Sequence, residues 1–254
     1  MTIPTPVVVF ADLDDTLFQT RRKLRGDEGE LTPATLMAGR DEPHSFMTPA
    51  QARLLALLDA PGVTVVPVTG RDLAAMSRVI LPFPSWVIAD HGATILEPGG
   101  AVHTPWADLV RPALAGHAAT LLEIQARSVE LAQIHDLRVS AHRAHDEVLM
   151  LVAKHPDAAP EGLRELQLQW SRWSEGTPLH VIANANNLTV MPRAPGKRQA
   201  VEYLQRHAFG GAALTLGLGD SVSDVPFMAT CDFAVTPTRG QLMRAMLATD
   251  FPQH

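Results

Sequence analysis

The stretch Val7 to Leu17, VVVFADLDDTL, limits what this chain can fold into more than any other, because a run of five apolar residues ends abruptly in three carboxylates and a threonine. Such a run reads as a strand buried on both faces of a parallel sheet; a strand with one wet face would alternate. Ligands of parallel sheets bind at the carboxyl ends of the strands, so the aspartates mark a candidate site. Asp12 and Asp14 are two residues apart, which in extended backbone sends both side chains to the same side. Like charges held together in a cleft need a cation beside them. Oxygen donors point to a hard one, Mg2+.

The pattern of apolar run and polar stop recurs. Val63 to Val68 stops at Thr69, Gly70 and Arg71, and Leu214 to Leu218 stops at Gly219 and Asp220, with Asp224 four residues on. Trp86 to Ala89 reads as a short buried strand followed by Asp90, His91 and Gly92, then a hairpin turned by Pro98, Gly99 and Gly100. Helices fall between the strands. Thr48, Pro49 and Gln51 give a cap, a first-turn proline and a capping-box glutamine, with Leu54, Leu57 and Leu58 on one face and Gly62 at the end. Lys197 opens another helix, and strand Phe233 to Val235 and helix Gln241 to Leu247 close the pattern. Residues 18–47 are polar and without clear period, which reads as a long loop beside the cleft. Right-handed crossovers then give a three-layer α/β/α, Rossmann-like parallel-sheet core.

From Trp106 to Met191 the pattern changes to a helix and two adjacent strands, twice over. The first copy is a helix over 107–133 with strands near 137–142 and 148–153; the second is a helix over 160–173 with strands near 179–183 and 188–191. Paired strands after a helix suit an antiparallel sheet with helices on one face. An inserted α+β cap domain is therefore expected at 106–189, with the core at 1–105 and 190–254.

The net charge of −6 argues against a nucleic-acid surface, which would concentrate Lys and Arg. The basic cluster Arg21, Arg22, Lys23, Arg25 is offset at once by Asp27, Glu28 and Glu30. A single cysteine, Cys231, precludes an internal disulfide and fits a reducing cytoplasm. No stretch approaches the roughly 20 apolar residues that span a bilayer, so no membrane partner is expected.

Asp12, Asp14, Thr69, Asp220 and Asp224 should thus converge on one pocket. Lys197, in a first helical turn where the macrodipole favours anions, calls for an anionic neighbour. The Thr69 hydroxyl and the Thr69 and Gly70 amides suit an oxyanion. A phosphoryl group fits this set.

On these residues the chain resembles the haloacid dehalogenase-like superfamily of phosphohydrolases, nearly throughout and in the right order. DLDDT at Asp12 to Thr16, VTGR at Val68 to Arg71, Lys197 in PGKRQAVEYL and GLGDSVSDVPFM at Gly217 to Met228 look like its four motifs. The resemblance implies Asp12 as nucleophile, forming an aspartyl phosphate, and Asp14 as general acid and base. It implies Thr69, Gly70 and Lys197 as phosphate contacts. Magnesium would be held by Asp12, the Asp14 carbonyl, Asp220 and Asp224. Arg71 and His91 are candidate substrate contacts, and a structural ion pair is as open to Arg71 as a phosphate or substrate contact. The insert resembles the cap of the branch that includes sucrose-phosphate phosphatase, which implies a small phosphorylated metabolite, foremost a sugar phosphate, and a monomer or small homo-oligomer. A phosphomutase or a catalytically idle phosphate-binding protein on the same fold are the alternatives. Ser223 stands where relatives carry Asn, so the hydrogen bond that orients Asp224 falls to a serine hydroxyl, which can still donate.

Overall fold

The computed structural model describes residues 6–26, 29–156, 160–184, 186–211 and 213–248. Asp27 and Glu28, the expected counter-charges of the basic cluster, lie outside the described residues. The chain forms two compact units, one made of residues up to His103 and from Lys197 onward, the other of Thr104–Gly196.

The first unit begins with β1 (Val7–Ala11), whose last four residues are buried, as a strand covered on both faces must be. The segment expected as a loop, 18–47, is instead a small antiparallel sheet of β2 (Gln19–Thr20), β3 (Thr32–Leu36) and β4 (Pro43–Met47). Its period is hidden because its buried positions include polar ones, Thr35 and Ser45, and the Ser45 amide donates to Thr35 Oγ1 at 3.1 Å. Register shifts between Pro33 and Leu36 break the alternation further. Arg21 lies over the Phe46 ring at 4.4 Å, tying the basic cluster to this sheet.

Helix α1 (Pro49–Leu58) starts on the complete Thr48–Gln51 capping box. Its inner face carries Leu54, Leu55 and Leu58; Leu57, expected there, is 73% exposed, on the flank of that stripe, about 100° of helix rotation from Leu58. The helix stops at Leu58, and Gly62 serves the following turn at φ 85°. Next come β5 (Val63–Pro67), the single-turn α2 (Leu73–Met76), β6 (Val87–Ala89) and β7 (Thr94–Leu96). The strands β6 and β7 pair with each other, and a Val68–Ile88 bridge joins β6 to the segment just after β5.

In the second unit the helix expected over 107–133 is two, α3 (Thr104–Arg127) and α4 (Val129–Ile134), meeting at Ser128. The Ser128 hydroxyl donates back to Ile124 O at 2.7 Å and accepts the Trp170 indole N–H at 2.8 Å. Strands β8 (Arg138–Ala144) and β9 (Glu147–Lys154), helix α5 (Pro160–Trp173), and strands β10 (Leu179–Asn184) and β11 (Asn187–Pro192) follow, giving an antiparallel sheet in the order β10-β11-β9-β8. Trp170 is fully buried in this unit's core among Leu121, Ile124, Leu151 and Leu166. That burial suits the largest apolar side chain.

The chain then returns to the first unit with α6 (Lys197–His207), β12 (Leu214–Leu218), α7 (Val225–Met228), β13 (Phe233–Val235) and α8 (Gln241–Ala248). The main sheet is all parallel, in the order β13-β12-β1-β5. Val9 and Ala11 pack with the α1 leucines, while Phe10 meets Phe209, beyond the end of α6, edge to face at 6.1 Å. Helices therefore cover both faces. Each such apolar side chain contributes about 1.5–3 kcal/mol on burial. Register decides where the site lies: Ala11 is opposite both Leu218 and Pro67, so three strands end flush.

Candidate active site

The three flush ends place Asp12, Asp220 and Thr69 together. The Asp12 amide donates to Leu218 O at 2.8 Å, and the Val68 amide to Ala11 O at 2.8 Å, so ladder bonds hold the chain into the site. Buried oxygens of Asp12, Asp220 and Asp224 lie within 4.8 Å of one another. Lys197 Nζ, at the start of α6, donates to Asp12 Oδ1 and to Asp224 Oδ1, both at 2.7 Å. The anionic neighbour that Lys197 demanded is this pair.

The other Asp12 oxygen accepts from the Thr16 hydroxyl at 3.2 Å, a role beyond that of a turn residue. Asp224 Oδ2 accepts from the Ser221 amide at 3.1 Å and the Ser221 hydroxyl at 2.7 Å, and Ser223 Oγ backs that hydroxyl at 2.8 Å. Ser221, which sequence reasoning passed over, thus supplies the orientation that Ser223 was expected to owe. Its signal was present, since Ser221 and Asp224 form a capping box. Gly219 permits this crowding: a Cβ there would stand 2.5 Å from Asp224 Cβ.

Asp14 is less buried than Asp12. Its side chain is 47% exposed and meets the Arg71 guanidinium through two bonds, Nε to Oδ2 and Nη2 to Oδ1, each 2.7 Å. Its carboxylate is not among the clustered oxygens of Asp12, Asp220 and Asp224. Asp15, at φ 67°, pairs with Lys23.

The Thr69 loop is braced by the segment after β6. The Thr69 amide donates to Ile88 O at 2.8 Å, the His91 amide to Thr69 O at 3.1 Å and the Asp90 amide to Arg71 O at 2.8 Å. The Thr69 amide is therefore spent within the protein, against expectation, and the Thr69 hydroxyl accepts the Arg71 amide at 3.1 Å. Asp90 and His91 both take left-handed backbone, φ 51° and 55°, a costly pairing for residues with side chains. It seats the His91 ring on Gly70, where an added Cβ would come within 2.4 Å of His91 Cε1.

Burial pushes the Asp12 carboxyl up to about 7, with Lys197 opposing and Asp224 and Asp14 adding to the rise. Burial also raises Asp220 to about 6, reinforced by Asp15 and Asp224. Asp224 is buried too, but Lys197 and Ser221 outweigh that and hold it below the usual carboxylate range. Burial works against the Lys197 ammonium, and Asp12 and Asp224 overcome it, so the lysine stays charged. One ammonium among three carboxylates leaves negative charge unbalanced. A cluster of hard oxygen donors with surplus charge fits a small divalent cation. Cys231, its thiol raised to about 11 by burial, is no nucleophile for this site.

Among the described residues no helix is long and apolar enough to cross a membrane. No curated protein matches the chain. Among solved structures it is similar to the sucrose-phosphatase of Synechocystis sp. PCC6803 in complex with sucrose and phosphate, with 18% identity, TM-score 0.58, and coverage of 99% of this chain and 100% of that one. The C-terminal domain of trehalose-6-phosphate phosphatase from C. albicans is 16% identical at TM-score 0.57, over 89% of this chain and 74% of that one. A trehalose-6-phosphate phosphatase related protein is 17% identical at TM-score 0.52, over 90% and 85%. These likenesses are of fold. The sucrose-6F-phosphate phosphohydrolase family model matches residues 5–236, and the chain belongs to that family of phosphoric monoester hydrolases, within the haloacid dehalogenase-like superfamily.

Proposed function

We propose that this protein is a magnesium-dependent phosphatase of a small sugar phosphate, working through an aspartyl phosphate on Asp12. The observation that carries the reading is the state of Asp12: a buried carboxylate with one oxygen fixed by Lys197 and the other by Thr16, at the flush ends of three parallel strands. A fixed, dry carboxylate is a nucleophile prepared for attack.

An Asp12 oxygen forms the bond to phosphorus while the phosphorus–oxygen bond to the sugar breaks. The electron pair leaves with the sugar oxygen, and Asp14 supplies the proton it needs. A water then attacks the aspartyl phosphate, gives its proton to Asp14, and inorganic phosphate departs with Asp12 restored. Lys197, charged throughout, holds the anionic oxygens gathered at Asp12, and the Thr69–Gly70 turn lies beside them. Asp12, Asp220 and Asp224 would hold the magnesium, with the Asp14 carbonyl as a further donor; its charge would stabilise that of the phosphoryl group. Sugar phosphates lead as substrates because the family and the solved relatives are named for them.

A panel of phosphomonoesters, assayed for inorganic phosphate with magnesium and with EDTA, tests this. Magnesium-dependent release from a sugar phosphate, abolished in Asp12→Asn, is expected. An isomeric sugar phosphate as product in place of inorganic phosphate, or ordinary activity in Asp12→Asn, contradicts the reading.

A further inference from the structure

Arg71 is the best-braced cation near Asp14. Its Nη1 donates to Ala75 O at 3.3 Å, its amide to Thr69 Oγ1 at 3.1 Å, and its carbonyl accepts the Asp90 amide at 2.8 Å. The guanidinium carbon lies 5.2 Å from the centre of the Phe18 ring. The arginine side chain is 14% exposed against 47% for Asp14, so the arginine is the fixed member of the pair. Its Nε–Nη2 edge, the fork that grips a carboxylate or a phosphate through two parallel bonds, is fully engaged by Asp14. Of the three N–H groups that remain, one on Nη1 is given to Ala75 O.

We infer that Arg71 is a positioning residue, acting through Asp14 and holding that carboxyl in place for proton transfer to the leaving oxygen, in place of the substrate contact its sequence position suggested. This rests on the phosphatase reading above. In the first half-reaction Asp12 takes the phosphoryl group, the ester bond breaks, and the Asp14 proton passes to the departing oxygen. If the fork serves only this transfer, its removal matters in proportion to how badly the leaving group needs a proton.

The test compares kcat/KM, which reports the steps up to loss of the leaving group, across substituted phenyl phosphates from p-nitrophenyl phosphate to phenyl phosphate. Wild type, Arg71→Ala, Arg71→Lys, Asp14→Asn and the Asp14→Asn/Arg71→Ala double variant are needed. Arg71→Ala is expected to lose about 10–100-fold on phenyl phosphate and markedly less on p-nitrophenyl phosphate, steepening the dependence on the leaving group. Inhibition by inorganic phosphate should stay within about twofold of wild type, and Arg71→Ala should add little loss to Asp14→Asn. Arg71→Lys, which keeps the charge without the fork, should recover only part of the loss. An equal loss on every ester with weaker phosphate inhibition would make Arg71 a phosphate contact and overturn the inference, leaving the phosphatase reading intact. Full additivity with Asp14→Asn, or no loss, overturns it as well. A wild-type protein inactive on this series and on the sugar phosphates alike overturns both.

Discussion

Asp12 and Asp14 are the same residue two positions apart, yet their surroundings differ in every respect that matters to a carboxylate. Asp12 is buried, shares Lys197 with Asp224 and sits against Asp220. Asp14 is half open to solvent and faces an arginine fork. The buried member is confined and crowded by like charge; the open one is oriented and reachable by water. What separates them is their place after β1: the Asp12 amide is still held by Leu218 O, and Asp14 lies two residues further on, facing Arg71. In the proposed mechanism environment, not residue type, divides nucleophile from proton carrier.

The comparison is most severely strained by removing the open carboxylate. Asp14→Asn should cost on the order of 10²–10⁴ in turnover while leaving magnesium affinity, measured by calorimetry, near wild type, since its carboxylate is outside the cluster. A large loss of metal binding would put the two aspartates back in one role. On the buried side, Lys197→Met removes the one ammonium that Asp12 and Asp224 share and should destabilise the metal-free fold by about 3–5 kcal/mol in urea titration, the cost of breaking a buried pair. Unchanged stability would mean that the cluster is already neutral without it.

A smaller effect reads the buried side by pH. Asp12 and Asp220 have carboxyls raised to about 7 and about 6, so the folded protein binds protons more readily than the unfolded chain. Their contribution to stability is fully present below the ordinary value of 3.8 and is lost as pH rises through 6 and 7. With EDTA, the melting temperature should therefore fall between pH 5 and about 7.5 as these groups ionise; magnesium should reverse that fall and bind more weakly below about pH 6, where protons compete. Melting curves with EDTA and with magnesium across this range check both. A magnesium effect of the same size at pH 5 and 8 would contradict the raised carboxyls.

Much of this was legible in the sequence, for reasons that can be located. Apolar runs stopping at Asp12, Thr69 and Asp220 predicted flush strand ends because parallel ladders fix register over every residue. The helix–strand–strand repeat and the Thr48–Gln51 box were readable because period and capping are local. What failed was non-local. The sheet over 19–47 hid behind a buried Thr35–Ser45 hydrogen bond, which no apolar period reports. Arg71 and Asp14 are 57 positions apart, and only the fold names Asp14 as the partner in the ion pair that was one of the roles open to Arg71. Leu57 looked like a core leucine because the sequence shows which residues are apolar, not how wide a stripe the sheet covers.

The division of labour is tested most directly by following Asp14→Asn with p-nitrophenyl phosphate, whose leaving group departs without a proton, and then mapping the protein by mass spectrometry. If Asp12 is the nucleophile and Asp14 activates water, nitrophenolate should appear in a burst of about one equivalent and then stall, with the phosphoryl group on the peptide that contains Asp12. Steady turnover without a burst, or a phosphoryl group on any other residue, would contradict the account.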